Sequence, residues 1–337
     1  MLITGFADFD QDFWNVVWQQ DVRVIVMLTA EKEGAQVKAH NYWDQKQYGP
    51  LHLDFLSEKR ASLEPARIHR SQQKRPDVHK RTSTQSTLPQ IPLATIDAKE
   101  VSEKSAHDQP YVIVRKFLMR DERAPFEPMR EITQLQYSSW PDFGAPAHPA
   151  HLLGLVEQTD AVVRATNKTH AAHEPEPEGE RPILVHCSAG CGRTGTFCTV
   201  DSVIDMLKRQ RISQNPAPQT PRGASPMQVD AKGASPGQHA KHDSKQEGGP
   251  LARHESDGGF FASQYHHDAH QGDGVDGNWV RSSEIDLIEK TVEDFRHQRI
   301  SMVQSLRQYV LCYESVMEWL VEQSPLEGGN REREKMG

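Results

Sequence analysis

Residues 183–207 read Ile183-Leu-Val-His-Cys-Ser-Ala-Gly-Cys-Gly-Arg-Thr-Gly-Thr-Phe-Cys-Thr-Val-Asp-Ser-Val-Ile-Asp-Met-Leu207. Ile183-Leu-Val185 is a short apolar run of the kind that forms a buried strand. Phe197, Val200, Ile204 and Leu207 then recur at helical spacing. Between them lies a turn of small residues, so the segment reads as strand, tight turn, helix. Cys187 and Arg193 bracket that turn. Such a loop can point successive backbone N–H groups inward as an anion nest. The helix that follows adds its own N-terminal N–H groups and dipole. Arg193 is placed to grip two oxygens of a phosphate. The same positive field favours a thiolate, so Cys187 is expected to be ionised and nucleophilic at neutral pH. A buried structural cysteine is the plainer alternative. His186, Gly190, Gly192, Thr194 and Gly195 in register weigh against it. Zinc fits poorly, because no second Cys/His pair at ligand spacing follows Cys187 and Cys191.

Outward from this turn the chain alternates strands and helices. Phe13, Trp14, Val17 and Trp18 make one helix face, with Asp10 or Asp12 placed to cap it. Val22-Arg-Val-Ile-Val-Met-Leu28 predicts a buried strand. Tyr111–Phe117 and Ile132–Tyr137 predict two more. Leu152, Leu153, Val156 and Val163 predict a helix. A further helix carries Ile285, Ile288, Val292 and Phe295, with Ser283 and Asp286 placed for a capping box. The last carries Tyr309, Cys312, Val316 and Leu320. The expected class is α/β or α+β, a mixed sheet between helices.

The 337-residue chain has a formal net charge of −8 and 36% hydrophobic residues, so part of it should lie outside any core. The polar excess falls at about 57–108 and 213–278, where Gly-Ala-Ser-Pro occurs twice, at 223–226 and 233–236. These stretches are expected to be disordered inserts in a single domain spanning 1–325, with 326–337 a polar tail. The acidic balance argues against nucleic-acid binding. No apolar run approaches a membrane span. Only four cysteines, at 187, 191, 198 and 312, indicate a reducing compartment, hence cytoplasm or nucleus.

The segment from His186 to Gly195 resembles the signature loop of the classical, tyrosine-specific protein tyrosine phosphatases, His-Cys-Ser-x-Gly-x-Gly-Arg-Thr/Ser-Gly. Three other segments resemble that family in the right order. Trp140-Pro-Asp-Phe-Gly-Ala-Pro146 is similar to its mobile acid loop. Phe295 to Tyr309 is similar to its Gln loop and following helix. Phe13-Trp14 to Tyr42-Trp43 is similar to its early core, and the resemblance implies an N-terminally incomplete domain, lacking the helices and the phosphotyrosine-stacking loop that the family carries upstream of that core. The long inserts resemble those of fungal relatives.

The resemblance implies a highly twisted mixed central sheet flanked by helices, and hydrolysis of phosphotyrosine through a cysteinyl-phosphate, without metal or other cofactor. Cys187 would be the nucleophile and Arg193 the phosphate clamp, with Ser188, Ala189, Gly190, Cys191 and Gly192 completing the phosphate loop. Asp142 would be the general acid, then the base. Gln304 would position water, assisted by Gln308. Thr194 would hydrogen-bond the thiolate, and His186 would orient the loop. Trp140 anchors the acid loop, and Glu33 and Lys38 support Arg193 and that loop. Arg296 and Arg299 are candidates to brace the phosphate loop from behind.

Cys191 stands where the family usually has an aliphatic residue. It would either fill space or capture an oxidised Cys187. The expected partners are tyrosine-phosphorylated proteins. Lys80-Arg81 ahead of Leu88, Ile91 and Leu93 resembles a MAP kinase docking motif, and Thr220, Ser225 and Ser235 precede prolines as candidate phosphorylation sites. A phosphotyrosine-binding scaffold without activity and a dual-specificity phosphatase with a shallow cleft are the alternatives.

Overall fold

The apolar run expected as a buried strand forms an interior strand of a sheet, paired on both sides. In a computed structural model the described residues are 7–64, 68, 110–168, 170–177, 179–214 and 284–323. In chain order the elements are α1 (Ala7–Gln19), β1 (Val24–Met27), β2 (Lys32–Glu33), β3 (Gln36–Val37), β4 (Gln47–Tyr48), β5 (Leu51–Ser62), β6 (Tyr111–Asp121), β7 (Arg130–Gln136), α2 (Pro149–Asn167), β8 (Leu184–His186), α3 (Gly192–Gln214), α4 (Leu287–Gln298) and α5 (Leu306–Gln323). The main sheet has the order β4-β5-β6-β7-β1-β8. β1 runs parallel to β7 and to β8, while β4 through β7 pair antiparallel. The sheet is mixed, as the alternation of elements predicts.

The continuous hydrophobicity of β1 has a simple cause. Val24, Val26 and Leu28 belong to an apolar cluster shared with α2, α3, α4 and α5. Ile25 and Met27 belong to a second cluster, shared with α1. A strand covered on both faces has no polar side to present. Each aliphatic side chain fully buried this way contributes about 1.5–3 kcal/mol. On the α1 side, Trp14 is fully buried, and its indole N–H donates to the Tyr42 carbonyl at 2.7 Å.

Several boundaries depart from the sequence reading. α1 begins at Ala7, so Asp10 and Asp12 lie inside the helix and cap nothing. Asp10 is buried instead, 3.1 Å from His40 Nδ1. The polar stretch beginning near 57 starts too early, because β5 continues to Ser62 and pairs residue by residue with β6. Its outward residues Glu58, Lys59 and Arg60 gave it an insert-like composition. α4 is capped by Asp286, whose carboxylate accepts from the N–H groups of Ile288 and Glu289; Ser283 lies outside the described residues. So do most of 57–108, nearly all of 213–278, the docking-motif and Ser/Thr-Pro positions, and the tail. The described residues up to 213 and from 284 belong to one unit. Among the described residues, no helix is long and apolar enough to cross a membrane.

Candidate active site

β8 ends at His186, the chain turns through Cys187–Cys191, and α3 starts at Gly192. Parallel pairing to β1 fixes where the turn begins, and the Leu28 N–H donates to the His186 carbonyl at 2.8 Å. Gly190 sits at φ +66°, a left-handed conformation that costs glycine nothing. Gly192 and Gly195 serve close approach instead. A Cβ on Gly192 would lie 2.8 Å from Gln308 Oε1 and 2.9 Å from Gln304 Oε1; one on Gly195 would lie 2.5 Å from the Val303 backbone nitrogen. The segment carrying Gln304 therefore presses directly on the loop, and the glycines make room for it.

That segment is itself held in place. The Gln308 side-chain oxygen accepts from the N–H groups of Gln304 and Ser305, at 3.0 and 3.3 Å. Arg296 donates to the carbonyls of Met302 and Val303, at 3.0 and 2.8 Å. Arg296 thus braces the Gln loop and not, as its position in the sequence suggests, the phosphate loop. Arg299 does brace the phosphate loop: its Nη2 donates to the Ala189 carbonyl at 2.8 Å and its Nε to Cys191 Sγ at 3.0 Å. Cys191 is buried, and its thiol faces Arg299 and the Ala189 carbonyl.

Arg193 is 1% exposed. Its Nη1 donates to Glu33 and to the Trp140 carbonyl. Its Nε has no hydrogen-bond partner, and its Nη2 has only a 3.3 Å contact with Asp142. A buried guanidinium with one edge uncommitted is expensive unless an anion meets it. Glu33 and Lys38 stand on and beside the β2–β3 hairpin. Glu33 also accepts from the Thr29 hydroxyl at 3.0 Å, and Lys38 Nζ lies 2.8 Å from Asp142.

The acid loop closes the ring. Trp140 is fully buried, and its indole donates to the Gly144 carbonyl at 2.9 Å. Phe143 takes φ +55° with its ring exposed, and its carbonyl accepts from the Ser305 hydroxyl at 2.9 Å. Asp142 is thereby brought beside Arg193.

Burial would push the Cys187 thiol up. Hydrogen bonds from the Thr194 hydroxyl and from the N–H groups of Thr194 and Cys191, with the Arg193 charge, outweigh it and hold the thiol below its ordinary range. Burial would also raise Asp142, but the Lys38 hydrogen bond, the charges of Arg193 and Lys38 and the Phe143 N–H hold its carboxyl below the usual carboxylate range. His186 is pushed down to about 4 by burial, so it is a neutral imidazole.

The structure therefore brings together Cys187, Arg193, Thr194, Asp142, Gln304, Glu33 and Lys38, with Gln308 as the brace of the Gln loop. Sequence reading passed over Thr29, Ser305, Tyr42 and Gln134. Among the described residues, no cluster of three or more His, Cys, Asp or Glu side chains is placed to hold a metal ion.

Comparison with known proteins agrees. The Protein-tyrosine phosphatase family matches residues 6–89 and 84–219. The chain is 32% identical over 213 residues to the tyrosine-protein phosphatase corkscrew of Drosophila melanogaster, covering 63% of this chain and 19% of that protein. It is 31% identical over 202 residues to the human tyrosine-protein phosphatase non-receptor type 18, covering 60% of this chain and 31% of that one. The chain thus spans less than a third of the length of these relatives. A solved structure of the type 18 phosphatase, described on distinct HER2 tyrosine phosphorylation sites, shares the fold with a TM-score of 0.50 at 21% identity, over 95% of this chain and 67% of that one. With more than half of the chain matched, Asp142 and the whole of 186–195 included, the chain belongs to the protein-tyrosine phosphatase family.

Proposed function

We propose that this chain hydrolyses phosphotyrosine in proteins through a cysteinyl-phosphate. The observation that carries the reading is the convergence of a low-pKa Cys187, a buried Arg193 with an uncommitted Nε, and Asp142 in contact with that guanidinium. The Cys187 thiolate attacks phosphorus. The P–O bond to tyrosine breaks, and Asp142 gives its proton to the leaving phenolic oxygen. Water, positioned by Gln304, then attacks phosphorus and yields its proton to Asp142. The P–S bond breaks, and the Thr194 hydroxyl stabilises the departing thiolate.

Lys38 and Arg193 hold the Asp142 carboxyl below the usual carboxylate range, which favours its ionised form. A phosphate dianion against Arg193 cancels that positive field and returns the proton to Asp142. Binding of the correct charge therefore arms the acid.

Relatives named as tyrosine-protein phosphatases support phosphotyrosine as the substrate class. The basic pair Lys80-Arg81 with Leu88, Ile91 and Leu93 supports MAP kinases as a narrower class, bound through the insert. Four unpaired cysteines suit action in the reducing cytoplasm or nucleus.

The test is hydrolysis of matched phosphotyrosine and phosphothreonine peptides by this chain, beside Cys187→Ser. Turnover of the phosphotyrosine peptide alone, reduced by at least about 10⁴-fold in Cys187→Ser, is expected. Tight binding of the phosphotyrosine peptide without turnover would establish the scaffold instead, and equal rates on both peptides would establish dual specificity.

A further inference from the structure

Behind the phosphate loop a chain of buried polar groups crosses the sheet. It starts at Arg115 on β6, which is 7% exposed, stacks on Trp43 with 4.6 Å to the ring centroid, and donates its Nε to Glu58 at 2.7 Å. Its Nη1 donates to two side chains of the neighbouring strand β7, to Gln134 Oε1 at 3.0 Å and to Gln136 Oε1 at 2.6 Å. The Gln134 amide nitrogen donates to the Tyr42 hydroxyl at 2.7 Å. That hydroxyl lies 2.8 Å from His186 Nε2, and His186 Nδ1 lies 3.3 Å from the Cys187 carbonyl. Gln134 and Tyr42 are fully buried.

The direction of every link follows from the first. A guanidinium has donors and no acceptor. Gln134 must therefore present its oxygen to Arg115 and its NH2 to Tyr42. The Tyr42 oxygen receives that N–H, so its own proton is free for His186 Nε2. A neutral imidazole that accepts at Nε2 carries its proton on Nδ1, and Nδ1 faces the Cys187 carbonyl. A second branch ends at the other catalytic side chain. The Gln136 NH2 donates to the Thr29 carbonyl at 3.1 Å, and the Thr29 hydroxyl reaches Glu33, which accepts from Arg193.

We propose that Arg115 is a positioning residue for the reaction: through Gln134 and Tyr42 it fixes His186 as the Nδ1–H tautomer, whose N–H holds the Cys187 peptide in the orientation that stabilises the thiolate. Arg115 touches no reacting atom. It acts from the opposite end of a five-residue relay whose members come from three strands, a loop and the phosphate loop. The inference rests on Cys187 being the nucleophile. Wild-type turnover of a phosphotyrosine peptide tests that reading, whereas the tautomer of His186 is observed without turnover.

The deciding variant is Gln134→Glu in the full chain. A carboxylate at this position keeps the contact with Arg115, now as an ion pair, but accepts on both sides. Tyr42 must then donate to it, His186 Nε2 must donate to Tyr42, and Nδ1 loses its proton. Three readouts apply: the side-chain ¹⁵N shifts of His186, the pH midpoint of Cys187 alkylation by iodoacetate, and kcat/KM at pH 7, with thermal unfolding measured alongside. The expected result is a switched tautomer, an alkylation midpoint moved upward, and kcat/KM lower by about tenfold, the size of one lost hydrogen bond. The ratio of variant to wild type at the same pH should return toward one as the pH rises. Tyr42→Phe breaks the relay at another link and should move the midpoint the same way. An unchanged tautomer and midpoint in whichever variant folds overturns the proposal. A purely structural role predicts that outcome together with a lowered melting temperature.

Discussion

The phosphate loop and the acid loop meet at the same point and are built on opposite plans. The phosphate loop is held from every side. Its strand is paired to β1, its helix starts within it, Arg299 and Val303 bond its carbonyls, and Cys187 and Arg193 are all but sealed from solvent. The acid loop rests on a buried Trp140 at one end. Its tip is tied to the rest by three polar contacts: Lys38 to Asp142, Arg193 to Asp142, and Ser305 to the Phe143 carbonyl. The first plan suits a group that must not reorganise when charge develops on it. The second suits a group that must arrive, act and withdraw. The division of labour is thus written in how many directions each loop is restrained.

Removing the acid without touching the cradle is the strongest way to break this comparison. Asp142→Ala should lower kcat on a phosphotyrosine peptide by about 10²–10⁴-fold while KM stays within a few-fold, because Arg193 and the loop still bind phosphate. Steady-state kinetics checks it, and an equal rise in KM would mean the acid loop shares in binding. A weaker perturbation is Lys38→Met. In the free enzyme the Asp142 carboxyl is held below its usual range by Lys38 and Arg193. Removing Lys38 removes both its hydrogen bond and its charge, so Asp142 should titrate higher, and the midpoint of the kcat/KM profile that reports it should move to higher pH. The pH midpoint of Cys187 alkylation should stay where it is. Smallest is Ser305→Ala, which cuts the tie of the acid loop to the Gln loop and, with it, the bond that the Ser305 hydroxyl accepts from the Gln308 N–H at 3.2 Å. A loss of about fivefold in kcat, taking the tie to the acid loop at about 1 kcal/mol, is expected, with the pH midpoint of Cys187 alkylation unmoved.

The same contrast governs what the sequence reveals. The phosphate loop is legible because its function is carried by contiguous residues. Small side chains, a bracketing Cys187 and Arg193, and a strand-to-helix turn all lie within eleven positions. The core is legible because burial on both faces of β1 forces an unbroken apolar run. What holds the site together is not contiguous. Gln134 and Gln136 alternate along β7 like residues facing water, yet both are buried and receive Arg115. Asp10 looks like a helix cap, and only the packing of α1 against His40 shows it to be an internal partner. Arg296 and Arg299 are three apart, and nothing in that spacing tells which loop each will reach. Glu58 and Arg60 give β5 the composition of an insert, because β6 supplies the pairing that composition cannot display.

One detail of the acid loop bears on how the molecule recycles. Phe143 is a bulky residue in a left-handed backbone conformation, at φ +55°. Such a conformation costs a non-glycine residue roughly 1–2 kcal/mol. The arrangement that delivers Asp142 is therefore loaded like a bent spring, sustained by contacts to Lys38, Arg193 and Ser305. On the proposed function, a rearrangement of the loop that let Phe143 take an ordinary backbone conformation would remove that cost. By this arithmetic it favours the released loop by roughly five- to thirtyfold over an unstrained equivalent. The backbone beside Asp142 thus enters the balance between holding and releasing that loop.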